Sequence, residues 1–126
     1  MSPAIRVDAG WILEIQTRVS PVNTPIADWG ALDTMAKRHM FEQPHGQLYY
    51  EAPAARAATF LHSAVLLRPF ADYNSVIGWA CAERYMIASG EPIRPPKPDE
   101  VHLLTGAIRA QEATLRDIAR AITGWQ

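Results

Sequence analysis

The chain has 126 residues, of which 48% are apolar and 20% charged, the composition of an ordinary globular protein with enough length for one core. Twelve basic residues against thirteen acidic ones leave a net charge of −1, with no long block of either sign. That balance argues against nucleic acid or an acidic membrane surface as the main partner.

The single cysteine, Cys81, lies inside an apolar run and reads as an inert buried thiol rather than a nucleophile. It has no partner for an internal disulfide, which fits a reducing compartment. No stretch is long enough to cross a bilayer, and MSPAIRVD has no apolar segment behind a basic start. A cytoplasmic location is the expectation, with one domain over 1–126.

In chain order, Asp8 is placed to cap a first helix with Trp11, Ile12, Ile15 and Val19 on its apolar face, closed by Pro21 and Pro25. Asp28 caps a second, where Leu32, Met35, Ala36 and Met40 recur at helical spacing until Pro44. HGQLYYEAP is the one extended stretch: Gly46 offers a turn, and Leu48, Tyr49 and Tyr50 favour a strand. Pro53 then opens a third helix running to about Leu67, apolar except for Arg56, Thr59 and Ser63 on one stripe, with His62 beside it.

The fourth helix, from about Asn74 to Ser89, carries only Glu83 and Arg84 as charges and stops at Gly90. A helix apolar on nearly every side belongs at the centre of a bundle. EPIRPPKP forms a stiff connector. Two helices follow, one with Val101, Leu104 and Ile108 in a stripe, the other with Leu115, Ile118, Ala119 and Ile122 behind Thr114 and Asp117 in capping-box spacing. The expected fold is all-α, a bundle of about six helices around a buried central one, with a short β-hairpin. Trp29 and Trp125 are expected in the core.

Between the third and fourth helices lies RPFADYNS, a polar loop pinned between two apolar helices. It gathers Asp72, Asn74 and the free N–H groups of a helix N-terminus, which attracts phosphate oxygens. Asp72 offers one carboxylate to a Mg²⁺ whose shell phosphates would complete. Asn74 either donates its amide to the same phosphate or caps the helix. Arg68 either grips a phosphate with its fork or pairs with Asp72 across the loop.

The order of segments over roughly residues 8–122 resembles the Fic/Doc family, in its compact Doc-like branch. The family signature is HPFxDGN(G/K)R between a helix and a long buried helix. Here the corresponding stretch is RPFADYNSV. The D-x-G-x-L opening at Asp28, Gly30 and Leu32, the segment from Gly46 to Tyr50, and Ser89-Gly90 at the far end share the family's order and spacing. The resemblance implies transfer of AMP, or in Doc-like members a phosphate, from a nucleotide to a hydroxyl of a target protein.

Carried over residue by residue, Asp72 matches the metal-binding acid and Asn74 the phosphate-binding amide, while Ser75, still a candidate phosphate contact, replaces the glycine or lysine that follows it. Phe70 matches the aromatic anchor of the loop, and Leu48, Tyr49 and Tyr50 the flap that lays a target segment beside the site. Arg68 stands where the family has its catalytic histidine, Tyr73 where it has a small residue, and Val76 where it has a phosphate-holding arginine.

A guanidinium titrates above about 12, so Arg68 cannot take a proton from a hydroxyl near neutrality. General-base catalysis is worth about 10² to 10⁴ in rate, so ordinary transfer is expected to be very slow. His62 reads as a structural histidine and His45 as a solvated one. Two functions remain open. One is a diverged Doc-like protein that still binds a nucleotide or phosphate, with Mg²⁺ and a nucleoside triphosphate as cofactors or with none. The other is a catalytically dead pseudoenzyme serving as an interaction module, in a toxin–antitoxin-like pair with a small antitoxin or in a larger complex.

Overall fold

A computed structural model describes residues 4–126. Among them are six α-helices: α1 (Ala9–Val19), α2 (Trp29–Lys37), α3 (Pro53–Leu67), α4 (Asn74–Ala88), α5 (Pro98–Arg109) and α6 (Leu115–Gly124). A single 3₁₀ turn, Arg38–Met40, continues α2. No helix among the described residues is long and apolar enough to cross a membrane.

The helix ends follow from local chemistry. Asp8 Oδ1 accepts the Trp11 N–H at 3.0 Å, and Asp28 Oδ1 accepts the Ala31 N–H at 3.0 Å. Each satisfies a donor that the first turn cannot pair internally. Thr114 and Asp117 complete a reciprocal capping box at the start of α6, at 3.2 and 2.8 Å. Helix α4 ends as its Ser-Gly sequence requires. Gly90 has φ +78°, its N–H bonds Ile87 O at 3.0 Å, and the Glu91 N–H reaches back to Met86 O at 3.0 Å.

Helices α3 and α4 run antiparallel through the middle. Phe60, Leu61 and Ala64 of α3 are sealed from solvent with Ile77, Cys81, Tyr85 and Met86 of α4. Their backbones approach closely at Gly78, where a Cβ would fall 2.5 Å from the Ala64 Cβ. Around this pair lie Ile12 and Ile15 of α1, Leu32 and Met35 of α2, Ile108 of α5, and Ile118 and Ile122 of α6, all in one core cluster. A fully buried side chain of this size contributes about 1.5–3 kcal/mol, so the pair at the centre dominates cohesion. Burial also pushes the Cys81 thiol far above its ordinary range, which makes it unreactive.

Three expectations need correction. The hairpin is reduced to one antiparallel bridge, Glu42 with Leu48, around a tight turn in which Gly46 has φ +89°. The two paired arms, 41–43 and 47–49, are too short to lengthen into strands. Trp125 is buried against Trp79 with ring centres 5.4 Å apart, but Trp29 is 68% exposed. It occupies the first position of α2, a full turn ahead of the packed part of that face.

The third correction concerns α2, which ends at Lys37. His39 in the following 3₁₀ turn is wholly buried, whereas Met40 is only half-buried. His39 Nε2 accepts the Val7 N–H at 3.2 Å, and its ring packs 4.9 Å from Phe60 and 5.5 Å from Tyr85. Desolvation, with the nearby Arg56 and Arg6 charges adding to it and the Ala36 backbone opposing it, lowers its pKa to about 4. It is a neutral core residue that ties the N-terminal segment down.

Candidate functional site

The loop between α3 and α4 is held by its backbone. Ala27 and Asp28 N–H both donate to Pro69 O, at 2.8 and 3.1 Å, and Ala71 N–H donates to Pro25 O at 3.0 Å. Asp72 N–H adds a bond to Thr24 Oγ1 at 3.2 Å. Phe70, 1% exposed, enters the core between the helices. Asn74 Oδ1 accepts the Phe70 N–H at 2.9 Å while its Nδ2 donates to Phe70 O at 2.8 Å. The side-chain amide thus closes a ring with one residue's backbone, as a paired strand would.

Two non-glycine residues mark the loop's corners in the left-handed region, Arg68 at φ +49° and Tyr73 at φ +64°. The first ends α3 and the second precedes α4, and neither has the glycine that this conformation favours. Their side chains are left outside the core. Arg68, Asp72, Tyr73, Asn74, Ser75 and Val76, joined by Val65 and by Arg109 of α5, line a cleft of about 180 Å³. Arg109 Nη2 lies 3.5 Å from Ser75 Oγ.

The cleft therefore holds two exposed guanidiniums, a hydroxyl and one carboxylate at the N-terminus of a 15-residue helix. The first-turn N–H groups of such a helix have no internal partners and favour an anion. Arg68 and Asp72 make no ion pair, since the one ion pair among the described residues joins Lys37 to Asp33 at 3.1 Å. The donor set does not suit a resident Mg²⁺. A lone carboxylate shares its cleft with two cations, and no cluster of three or more acidic, histidine or cysteine ligands occurs among the described residues.

Arg109 was not legible as a site residue. It lies at the end of α5, far from the motif in sequence, and only the packing of α5 brings it beside Ser75. It adds a second guanidinium to the cleft. Conversely, Leu48, Tyr49 and Tyr50 do not line this cleft. The Tyr50 carbonyl binds Arg56 near the start of α3, and Leu48 lines a separate cleft of about 900 Å³ at the far end of α4. His62 is turned to Arg38, whose Nη1 lies 2.8 Å from its Nδ1; burial first and that guanidinium second lower its pKa. His45 sits exposed at the turn, 3.1 Å from Gln43 Oε1. No imidazole lines the cleft.

Comparison with protein-family models, with characterised proteins and with solved structures finds no match to this chain.

Proposed function

We propose that the chain is a diverged Fic/Doc-like protein that binds a phosphate-bearing ligand in the loop cleft and transfers little or nothing from it. The observation that carries this reading is the meeting of Arg68 and Arg109 on one small cleft at the head of α4. A space of about 180 Å³ takes a phosphate group rather than a whole nucleotide, so a sugar and base would lie outside it, against Tyr73 and Val76. Tyr73 adds support to the resemblance, because the residue standing where the motif has glycine adopts glycine's left-handed backbone.

Transfer of AMP or phosphate to a protein hydroxyl needs a group that takes the hydroxyl proton. Arg68 cannot, and Asp72 is the only other candidate in the cleft. Asp72 is exposed and makes no side-chain hydrogen bond, so nothing orients it toward a hydroxyl. Binding without efficient turnover follows. Mg²⁺, if it enters, would come with the phosphates of the nucleotide, with Asp72 as its one protein carboxylate.

Calorimetric titration with inorganic phosphate, pyrophosphate, ATP, GTP and CTP, with and without Mg²⁺, tests this. Expected is binding that weakens as salt rises and drops about three- to fivefold in Arg109→Ala, the scale of one exposed charge contact. Silence of every ligand at millimolar concentration would remove the reading. A second reading, an interaction module with an antitoxin-like protein partner, is favoured by Leu67, Tyr73 and Val76. Tyr73 and Val76, 39% and 48% exposed, line the cleft, and Leu67, 42% exposed, precedes Arg68 in the chain. Under that reading, Leu67→Ser, outside the cleft lining, leaves fold and phosphate binding alone and abolishes partner capture.

A further inference from the structure

The connector between α4 and α5 reads EPIRPPKP over 91–98, with four prolines in eight residues. Proline fixes its own φ at about −65° and drives the residue before it into extended backbone. Only Ile93 is neither a proline nor followed by one. Such a segment favours one regular form, the left-handed polyproline helix with three residues per turn. Residues 91–97 carry no helix, turn or strand, and Lys97 has φ −69° and ψ 147°, the angles of that form.

Burial along the segment follows the same period of three. Ile93 and Pro96 are half-buried, Ile93 against the core, while Glu91, Pro92, Arg94, Pro95, Lys97 and Pro98 are exposed. One edge of a three-sided rod therefore lies on the protein. The other two face solvent, one carrying Pro92 and Pro95, the other Arg94 and Lys97. The rod is pinned at both ends and in the middle. The Glu91 N–H donates to Met86 O at 3.0 Å, the Arg94 N–H to Trp125 O at 2.7 Å, and the Lys97 N–H to Glu100 Oε1 at 3.2 Å. Neither Arg94 nor Lys97 forms an ion pair among the described residues.

We propose that this segment is the ligand of a polyproline-reading protein domain of the SH3 type, whose groove is lined by aromatic side chains and carries carboxylates at one end. A groove of that kind grips adjacent edges of the rod and leaves the remaining one outside. Here the two adjacent edges are open and the third is docked, so a partner reaches Pro92 and Pro95 without prising the segment away. The exposed cations Arg94 and Lys97 match the carboxylates in sign. Because the fold already holds the rod in its polyproline form, little ordering cost is left for binding.

Titration of the isotope-labelled full chain with a panel of purified SH3 domains, followed by amide chemical shifts, tests the assignment. At least one domain should bind at micromolar concentration and shift the Ile93, Arg94 and Lys97 amides. The free peptide 91–98 should bind that domain at least threefold more weakly, because it lacks the pins of the fold. Pro95→Ala and Lys97→Glu should each lower affinity about tenfold with circular dichroism unchanged, as loss of an anchor in a small interface implies. Pro96→Ala, on the docked edge, should cost less than twofold, and Arg109→Ala should change nothing. Failure of every domain to bind, shifts confined to another face, a peptide as tight as the chain, or a Pro96→Ala effect equal to that of Pro95→Ala would overturn the proposal. So would self-association of the chain that Pro95→Ala abolishes, since the segment would then serve a second copy.

Discussion

Replacing Asn74 with alanine separates a structural role from a ligand-binding one, and the structure sets the size of the effect. The substitution removes both bonds to the Phe70 backbone, 2.9 Å to its N–H and 2.8 Å to its carbonyl. Phe70 is 1% exposed and Asn74 6%, so water cannot take over without opening the loop. A buried donor left unpaired costs about 1–3 kcal/mol, and loss of the carbonyl's partner adds to that, for a total of about 2–4 kcal/mol. For a chain of 126 residues this corresponds to a Tm lower by roughly 8–15 °C.

Urea unfolding followed by circular dichroism measures the loss, which should appear in the midpoint with the slope unchanged. Asn74→Asp keeps an acceptor for the N–H but sets a carboxylate oxygen against the Phe70 carbonyl, so it should recover little. A stability change under about 0.5 kcal/mol, together with lost phosphate binding, would refute the argument, because the amide would then be serving a ligand.

Gly78→Ala should destabilise by about 1–3 kcal/mol, read from the same urea curves, since its Cβ would meet the Ala64 Cβ at 2.5 Å. Tyr73→Gly should raise Tm, because relief of a left-handed backbone is worth about 1 kcal/mol at a residue already 39% exposed. His39, lowered from 6.5 to about 4 in the fold, contributes stability that is fully present above pH 6.5 and lost as pH falls toward 4. The unfolded chain takes up the proton first across that window, and the loss is on the order of 3 kcal/mol. His39→Phe should flatten the pH dependence of the urea midpoint there, and an unchanged slope would remove the histidine from the account. Arg68→His should yield no brisk transfer to any acceptor protein, assayed with radiolabelled ATP, because it takes away one of the cleft's two guanidiniums while Val76 still stands where the resembled motif has its phosphate arginine.

Much of the helical plan was legible because its signals are local. Asp8, Asp28, Thr114 and Gly90 act within a turn of their own positions, and the apolar periodicity of α1, α3 and α6 needs no partner to be read. Burial of the charged and imidazole side chains was not legible. Arg56 and His39 enter the core only because Tyr85, Val7 and the carbonyls before α3 converge there, and those pairings span long separations in sequence. The loop shows the same divide. Its residues could be singled out from spacing and resemblance, but that Asn74 would turn inward to Phe70, and Arg109 arrive from α5, depends on tertiary packing. Trp29 misled because helical periodicity identifies a face and not how far along that face the neighbours extend.

At Gly78 the backbone of α4 comes so near α3 that no methyl would fit between them, which makes this point the natural fulcrum for any tilt of the helix. Four residues separate it from the head of the helix and ten from the tail, giving lever arms of about 6 and 15 Å. A tilt that drew the head toward an occupant would swing the tail the other way through more than twice the distance. Chemical shifts at Ser89 on adding phosphate would register such a see-saw, and their constancy would show the rod to be clamped at both ends.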